Sequence, residues 1–212
     1  DLARAAAQLA IWGFLAPVFA IVSHRMLPFF TASALRFVPA WRPDWLLTVM
    51  LCALGITALA EVGAVLWWPL PAALHAALAL LQLPVGGWLL WLALRWGLMH
   101  SLKVRLLAML HGGFVWLGIA FTLAGTSHAL AAWRGDGASL GLAPLHALTM
   151  GYLGATLIAM ITRVTAGHSG RPLAADDIAW VMFWVLQIAV LLRLAGALWP
   201  AAAAPSSGCS AG

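Results

Sequence analysis

The chain has 212 residues, 64% of them hydrophobic and 8% charged, with a formal net charge of +5. That is too apolar for a soluble domain and fits a polytopic membrane protein. The basic residues are scattered between apolar runs, which excludes a nucleic-acid face, and two cysteines, Cys52 and Cys209, give neither a disulfide framework nor a metal-ligand spacing.

Six apolar runs are long enough to cross a bilayer, at residues 5–22, 45–68, 71–94, 104–124, 144–165 and 178–199. The expected fold is an all-α membrane bundle of about six transmembrane helices, one domain over residues 1–200, with a low-complexity tail over 201–212. Tryptophans cluster at the span ends, Trp41, Trp45, Trp96 and Trp180 on one side and Trp67, Trp68, Trp133 and Trp199 on the other. Asp1 leads almost directly into an apolar run with no basic lead, so no signal peptide is read there. No internal repeat is evident along the chain.

The loops after spans one, three and five carry Arg25, Arg36, Arg42, Arg95, Lys103, Arg105, Arg163 and Arg171, whereas the other side carries Arg4 and Arg134. The positive-inside rule then puts those three loops in the cytoplasm, with both chain ends outside. Residues 23–44, rich in proline and arginine, are expected to lie along the membrane surface as a connector.

Span limits give each polar residue a depth. Glu61 in span two and Arg193 in span six both lie about 23 Å above the cytoplasmic end, so they are expected to form a buried ion pair. His75 and His146 sit slightly higher and complete an outer layer with His128, which lies in the outer loop and reads as interfacial, while depth allows His75 or His128 as a second ligand beside His146. His111, His168 and Arg163 form an inner layer, with His24 and His100 interfacial there. His111 and His146 are separated by roughly 15–18 Å along the membrane normal, too far to share a metal. One metal site per layer is the easier arrangement. Asp176 and Asp177 precede span six and suit its helix dipole, and Met150 and Met160 read as packing residues rather than copper ligands.

The fifth span and the loop after it carry the densest pattern, PLHALTMGYLGATLIAMITRVTAGHSGRP over residues 144–172. His146 opens it. Thr149, Tyr152, Thr156 and Arg163 form a polar stripe, and Ala147, Gly151, Gly154, Ala155 and Thr162 form a small face that admits a neighbouring helix or a flat ligand. His146 is the first candidate metal ligand, with His111, His168 and His75 behind it. Arg163 and Arg171 with Gly167 and Gly170 form a candidate anion site at the inner face, suited to a carboxylate. The chain has no CxxCH, HExxH, GxSxG, P-loop or GxGxxG, so covalent c-type haem, hydrolase and nucleotide readings have no support.

HALTMGYLGATLIAMITRVTAGHSGRP resembles the signature of the NnrS family, and HRMLPFFT (residues 24–31) and LHGGFVW (residues 110–116) resemble two further segments of that family, in order along the chain. The resemblance implies a membrane protein that binds haem, taken as haem b, and copper, and that serves the response to nitric oxide. It also implies that this chain corresponds to the later part of a longer, roughly twelve-span member. On this reading haem would approach His146 along the bare face of Gly151 and Gly154, and a propionate would meet Arg163 and Arg171. The expected partners are membrane lipid and nitric oxide, with no nucleic acid, and the sequence names no protein or redox partner. Whether the protein is an enzyme, a sensor or a carrier stays open. The competing reading is a transporter or proton-coupled carrier that uses Glu61, Arg193 and the polar stripe of span five.

Overall fold

The structure, a computed structural model, describes residues 2–34, 40–67, 69–135, 138–168 and 174–203. The described residues form helices and no strand. Six helices are long and apolar enough to cross a membrane: α1 (Leu2–Ala34), α2 (Asp44–Leu66), α3 (Ala72–Arg95), α4 (Arg105–Arg134), α5 (Ala143–His168) and α6 (Asp177–Ala203). A short helix, Leu98–Ser101, joins α3 to α4.

Three boundaries follow local chemistry. Pro43 and Pro71 precede α2 and α3 in extended conformation, as a residue without a backbone N–H can at a helix start. Asp176 accepts the Ala179 N–H at 2.8 Å and caps α6, the role its position before the span suggests. Gly135 ends α4 at φ +92°, a conformation that β-carbons disfavour.

Two helices run further than the hydropathy of the sequence suggests. Residues 23–34 continue α1 straight through Pro28 instead of lying along the surface. Ser23, His24, Leu27, Pro28, Phe30 and Thr31 are buried there, so packing holds a helix that proline would weaken in isolation. α4 extends to Arg134, which makes His128 helical rather than a loop residue.

α4 is the centre of the bundle. Of its most apolar window 72% is buried, against 22–39% for the other five helices. It packs most extensively on α3, then on α5 and α1, while α2 packs on α1 and α6 packs on α5. Glycine makes the α3–α4 contact close. A β-carbon on Gly86 would lie 2.5 Å from Thr122 Oγ1 and 2.9 Å from the Gly118 carbonyl, and one on Gly125 would lie 2.9 Å from the Leu83 nitrogen. Without a hydrophobic force between helices in lipid, this backbone approach supplies the dispersion contact that holds them.

π-helical turns widen two of the helices, over Leu9–Leu15 in α1 and Ala147–Gly154 in α5. Such turns concentrate at functional sites.

Candidate functional site

The depth layers separate in space. On the face that carries the start of α1, a cavity of about 630 Å³ opens between α1, α2, α3, α4 and the start of α5. Its polar walls are Arg4, Gln8, Glu61, His75, Ser127 and His128. Each is placed by its helix: Arg4 and Gln8 lie in the turns before the π segment of α1, Glu61 near the end of α2, and His75 in the first turn of α3. Ser127 and His128 lie in the last two turns of α4. The segment before α5 closes the rim, held where the Leu140 N–H donates to Ser127 Oγ at 3.1 Å.

Inside the cavity two imidazoles touch. His75 Nδ1 and His128 Nδ1 lie 2.8 Å apart, with ring centroids at 5.1 Å and planes at 39°. His75 is buried and His128 half-buried. Hydropathy places His128 at the surface, and the extra turns of α4 bring it down to His75. Among the described residues, no three His, Cys, Asp or Glu side chains converge as a metal-holding group.

The expected Glu61–Arg193 pair is not formed. Glu61 faces the cavity, whereas Arg193 is exposed on α6, which packs on α5 away from α2. Equal depth on two helices says nothing about their direction around the bundle, so the match in height does not become a contact.

His146 is half-buried at the junction of the first turn of α5 and its π segment. Pro144 and Leu145 line the cavity and His146 does not. The bare face expected beside it is occupied. A β-carbon on Gly151 would lie 2.6 Å from Trp116 Cγ, and one on Gly154 would lie 3.3 Å from Leu186 Cδ2. The small residues of α5 therefore receive α4 and α6, and a porphyrin does not fit against them. Most of the polar stripe is also spoken for. Thr149 donates to Leu145 O, and Tyr152 shares a 3.0 Å hydrogen bond with Ser23. Thr156 Oγ1, against Gly113, has no hydrogen-bond partner.

The inner layer is packed instead of hollow. His111 is fully buried, with Nδ1 3.0 Å from Leu107 O and Nε2 3.4 Å from Trp96 O. A neutral imidazole has one N–H, so only one of these contacts is a donated bond, and carbonyl oxygens stand in front of both nitrogens. His24 Nε2 reaches Pro43 O at 3.2 Å, its ring meets Trp96 edge-on, and its Nδ1 has no partner. His168 is exposed and bonds back to Val164 O at 2.9 Å on its own helix. The Arg163 guanidinium sits over the Phe30 ring, 3.4 Å from its centroid, which ties α5 to the extended end of α1. Gly167 is exposed in the last turn of α5, and Gly170 and Arg171 lie outside the described residues.

The structure thus brings together Glu61 and His75 with Arg4 and His128, and leaves His146, His111, His168 and Arg193 elsewhere. The helical placement of His128 against His75 carries one signal in the sequence: the residue lies two turns beyond Phe121 on an apolar, glycine-punctuated run that can simply continue as helix. A family model described as NnrS protein matches residues 1–212, the whole chain. No curated protein and no solved structure matches.

Proposed function

The chain belongs to the NnrS family, and from that premise we propose that it is a multi-pass protein of the bacterial inner membrane that binds haem and copper and meets nitric oxide in its outer cavity. The observation that carries the reading is the cavity itself. In an otherwise apolar bundle it gathers two imidazoles, a carboxylate and a guanidinium, and ionisable groups kept inside a membrane domain mark functional sites. Its volume, about 630 Å³, lies in the range typical of cofactor and ligand pockets. Neutral imidazole is a good donor to copper and to haem iron.

A bound copper or haem iron would supply the open coordination position and the one-electron chemistry that nitric oxide requires. The chain's own groups do the rest. Trp12, Ala124 and Leu142 give the cavity apolar walls that admit an uncharged diatomic gas and restrict water. Glu61 can hold or deliver a proton at its carboxylate. Arg4, on the wall nearest the chain's first turn, places a positive charge beside that carboxylate in the cavity lining. No step passes through a haem against Gly151 and Gly154, because Trp116 and Leu186 fill that space.

The transporter alternative loses the residues it would use. Arg193 is outside the cavity, and most hydroxyls of the α5 stripe are bonded to backbone or to Ser23. The deciding experiment is a visible spectrum and metal content on protein purified from membranes. A Soret band that shifts on addition of nitric oxide, together with bound copper, is the expected result. Colourless, metal-free protein that moves a solute into proteoliposomes would overturn the reading.

A further inference from the structure

We propose that His75 and His128 are the ligand pair for a single late first-row metal ion, copper in preference, each ring binding through Nδ1. This rests on the metal-binding reading above and adds to it the donors, their atoms and the coordination geometry.

The distance is the first argument. A metal about 2.0–2.1 Å from each nitrogen, with an angle of about 90–110° between them, requires the nitrogens to be about 2.8–3.4 Å apart. The two Nδ1 atoms are 2.8 Å apart, the separation of adjacent ligands on one ion. Opposite ligands would require about 4 Å.

Rigidity is the second. His75 and His128 stand on α3 and α4, the most extensively packed pair of helices. One turn below His128, Gly125 lets the Leu83 backbone approach so closely that a β-carbon would meet its nitrogen at 2.9 Å. The helices cannot slide apart without breaking that contact, so the ring spacing is preset, and little ordering cost remains for the metal.

Surroundings are the third. The pair faces a cavity wall that also carries Glu61, Ser127 and Ser139. The carboxylate offsets the charge of a divalent ion, and the open volume leaves coordination positions for water or a diatomic ligand. Two protein nitrogens with open positions suit a reactive centre better than a closed structural one.

Protons balance. With no metal, one Nδ1–H donates to the other Nδ1, so the rings are opposite tautomers. On binding, the donor ring moves its proton to Nε2, and both Nδ1 lone pairs go to the ion with no net proton released. Among late divalent ions copper binds such nitrogens most tightly, ahead of zinc.

The test uses the full chain in detergent. Copper and zinc are measured per chain for wild type, His75→Gln, His128→Gln and the double variant, with the Soret absorbance recorded on the same samples. Wild type should bind a single copper, whose electron paramagnetic resonance shows coupling to imidazole nitrogens. Each variant should bind copper more weakly by more than the roughly 10–100-fold that loss of an outer-shell partner costs, with Soret absorbance per chain unchanged. A double variant that keeps wild-type copper affinity and spectrum overturns the ligand pair and leaves the family's metal binding standing. Wild type without copper overturns both. The wild-type nitrogen couplings need no variant, and a copper signal without imidazole nitrogen overturns the proposal even if every variant fails to fold.

Discussion

A β-carbon at Gly151 would sit 2.6 Å from Trp116 Cγ, closer than packed carbons approach. Gly151→Ala should therefore lower the thermal stability of the purified protein by about 1–3 kcal/mol, the usual cost of overpacking. Gly87, on the exposed side of α3 with nothing within 4 Å of its β-carbon, is the control. Gly87→Ala should leave the melting temperature in the same detergent within error. Equal stability of the two variants would mean that α4 and α5 do not meet through Trp116. The Trp116 indole is fixed from its other edge, since Nε1–H donates to Gln187 Oε1 at 2.6 Å. Pinned on both sides, the ring cannot yield to an added methyl. By contrast, the Arg105–Asp177 pair is exposed, with side chains 48% and 89% accessible, and contributes little to stability.

Among the helices, α1 and α5 share a pattern that the uninterrupted sequence hides. Each carries a π segment, Leu9–Leu15 and Ala147–Gly154. Each π segment contains glycine, an aromatic and leucine in succession: Gly13, Phe14 and Leu15, and Gly151, Tyr152 and Leu153. Arg25 and Arg163 each follow their glycine by twelve residues. The lower ends of these two helices meet through Arg163 over Phe30. Arg163→Gln should cost about 0.5–2 kcal/mol of stability, as expected for a cation–π contact, with haem and copper content unchanged, and Phe30→Leu should do the same. Loss of bound haem in Arg163→Gln at unchanged stability would instead favour the anion site expected at this end of α5.

Across the whole molecule, one membrane face gathers cations and tryptophans. Arg95 lies over Trp41, Trp96 donates to Trp41 O, and Arg105 lies over Trp180. Arg4 and Arg134 belong to the opposite face, beside the cavity and at the far end of α4. The positive-inside rule predicts that the first face is cytoplasmic and that the cavity opens outward. In a background with Cys52 and Cys209 changed to serine, a membrane-impermeant maleimide should label Ser139→Cys in intact spheroplasts. Met99→Cys, exposed before α4, should react only after permeabilisation. The reverse pattern would invert the topology and place the cavity on the cytoplasmic side.

The sequence by itself determined the membrane class and the six apolar spans, because hydropathy and rise per residue act along the chain axis. It also set Asp176 and Asp177 at the positive end of α6, where the structure adds a local bond from the Ala179 N–H to Asp176. Direction around the bundle was decided by packing alone. Glu61 and Arg193 match in height yet face different neighbours, since α2 lies on α1 and α6 lies on α5. Tertiary contacts also carried α1 through Pro28 and α4 on to Arg134, overriding hydropathy with burial on one face. That extension brought His128 to His75. Gly151 and Gly154 needed the fold most, because a missing side chain invites a helix and a flat ligand equally, and only the positions of Trp116 and Leu186 decide between them.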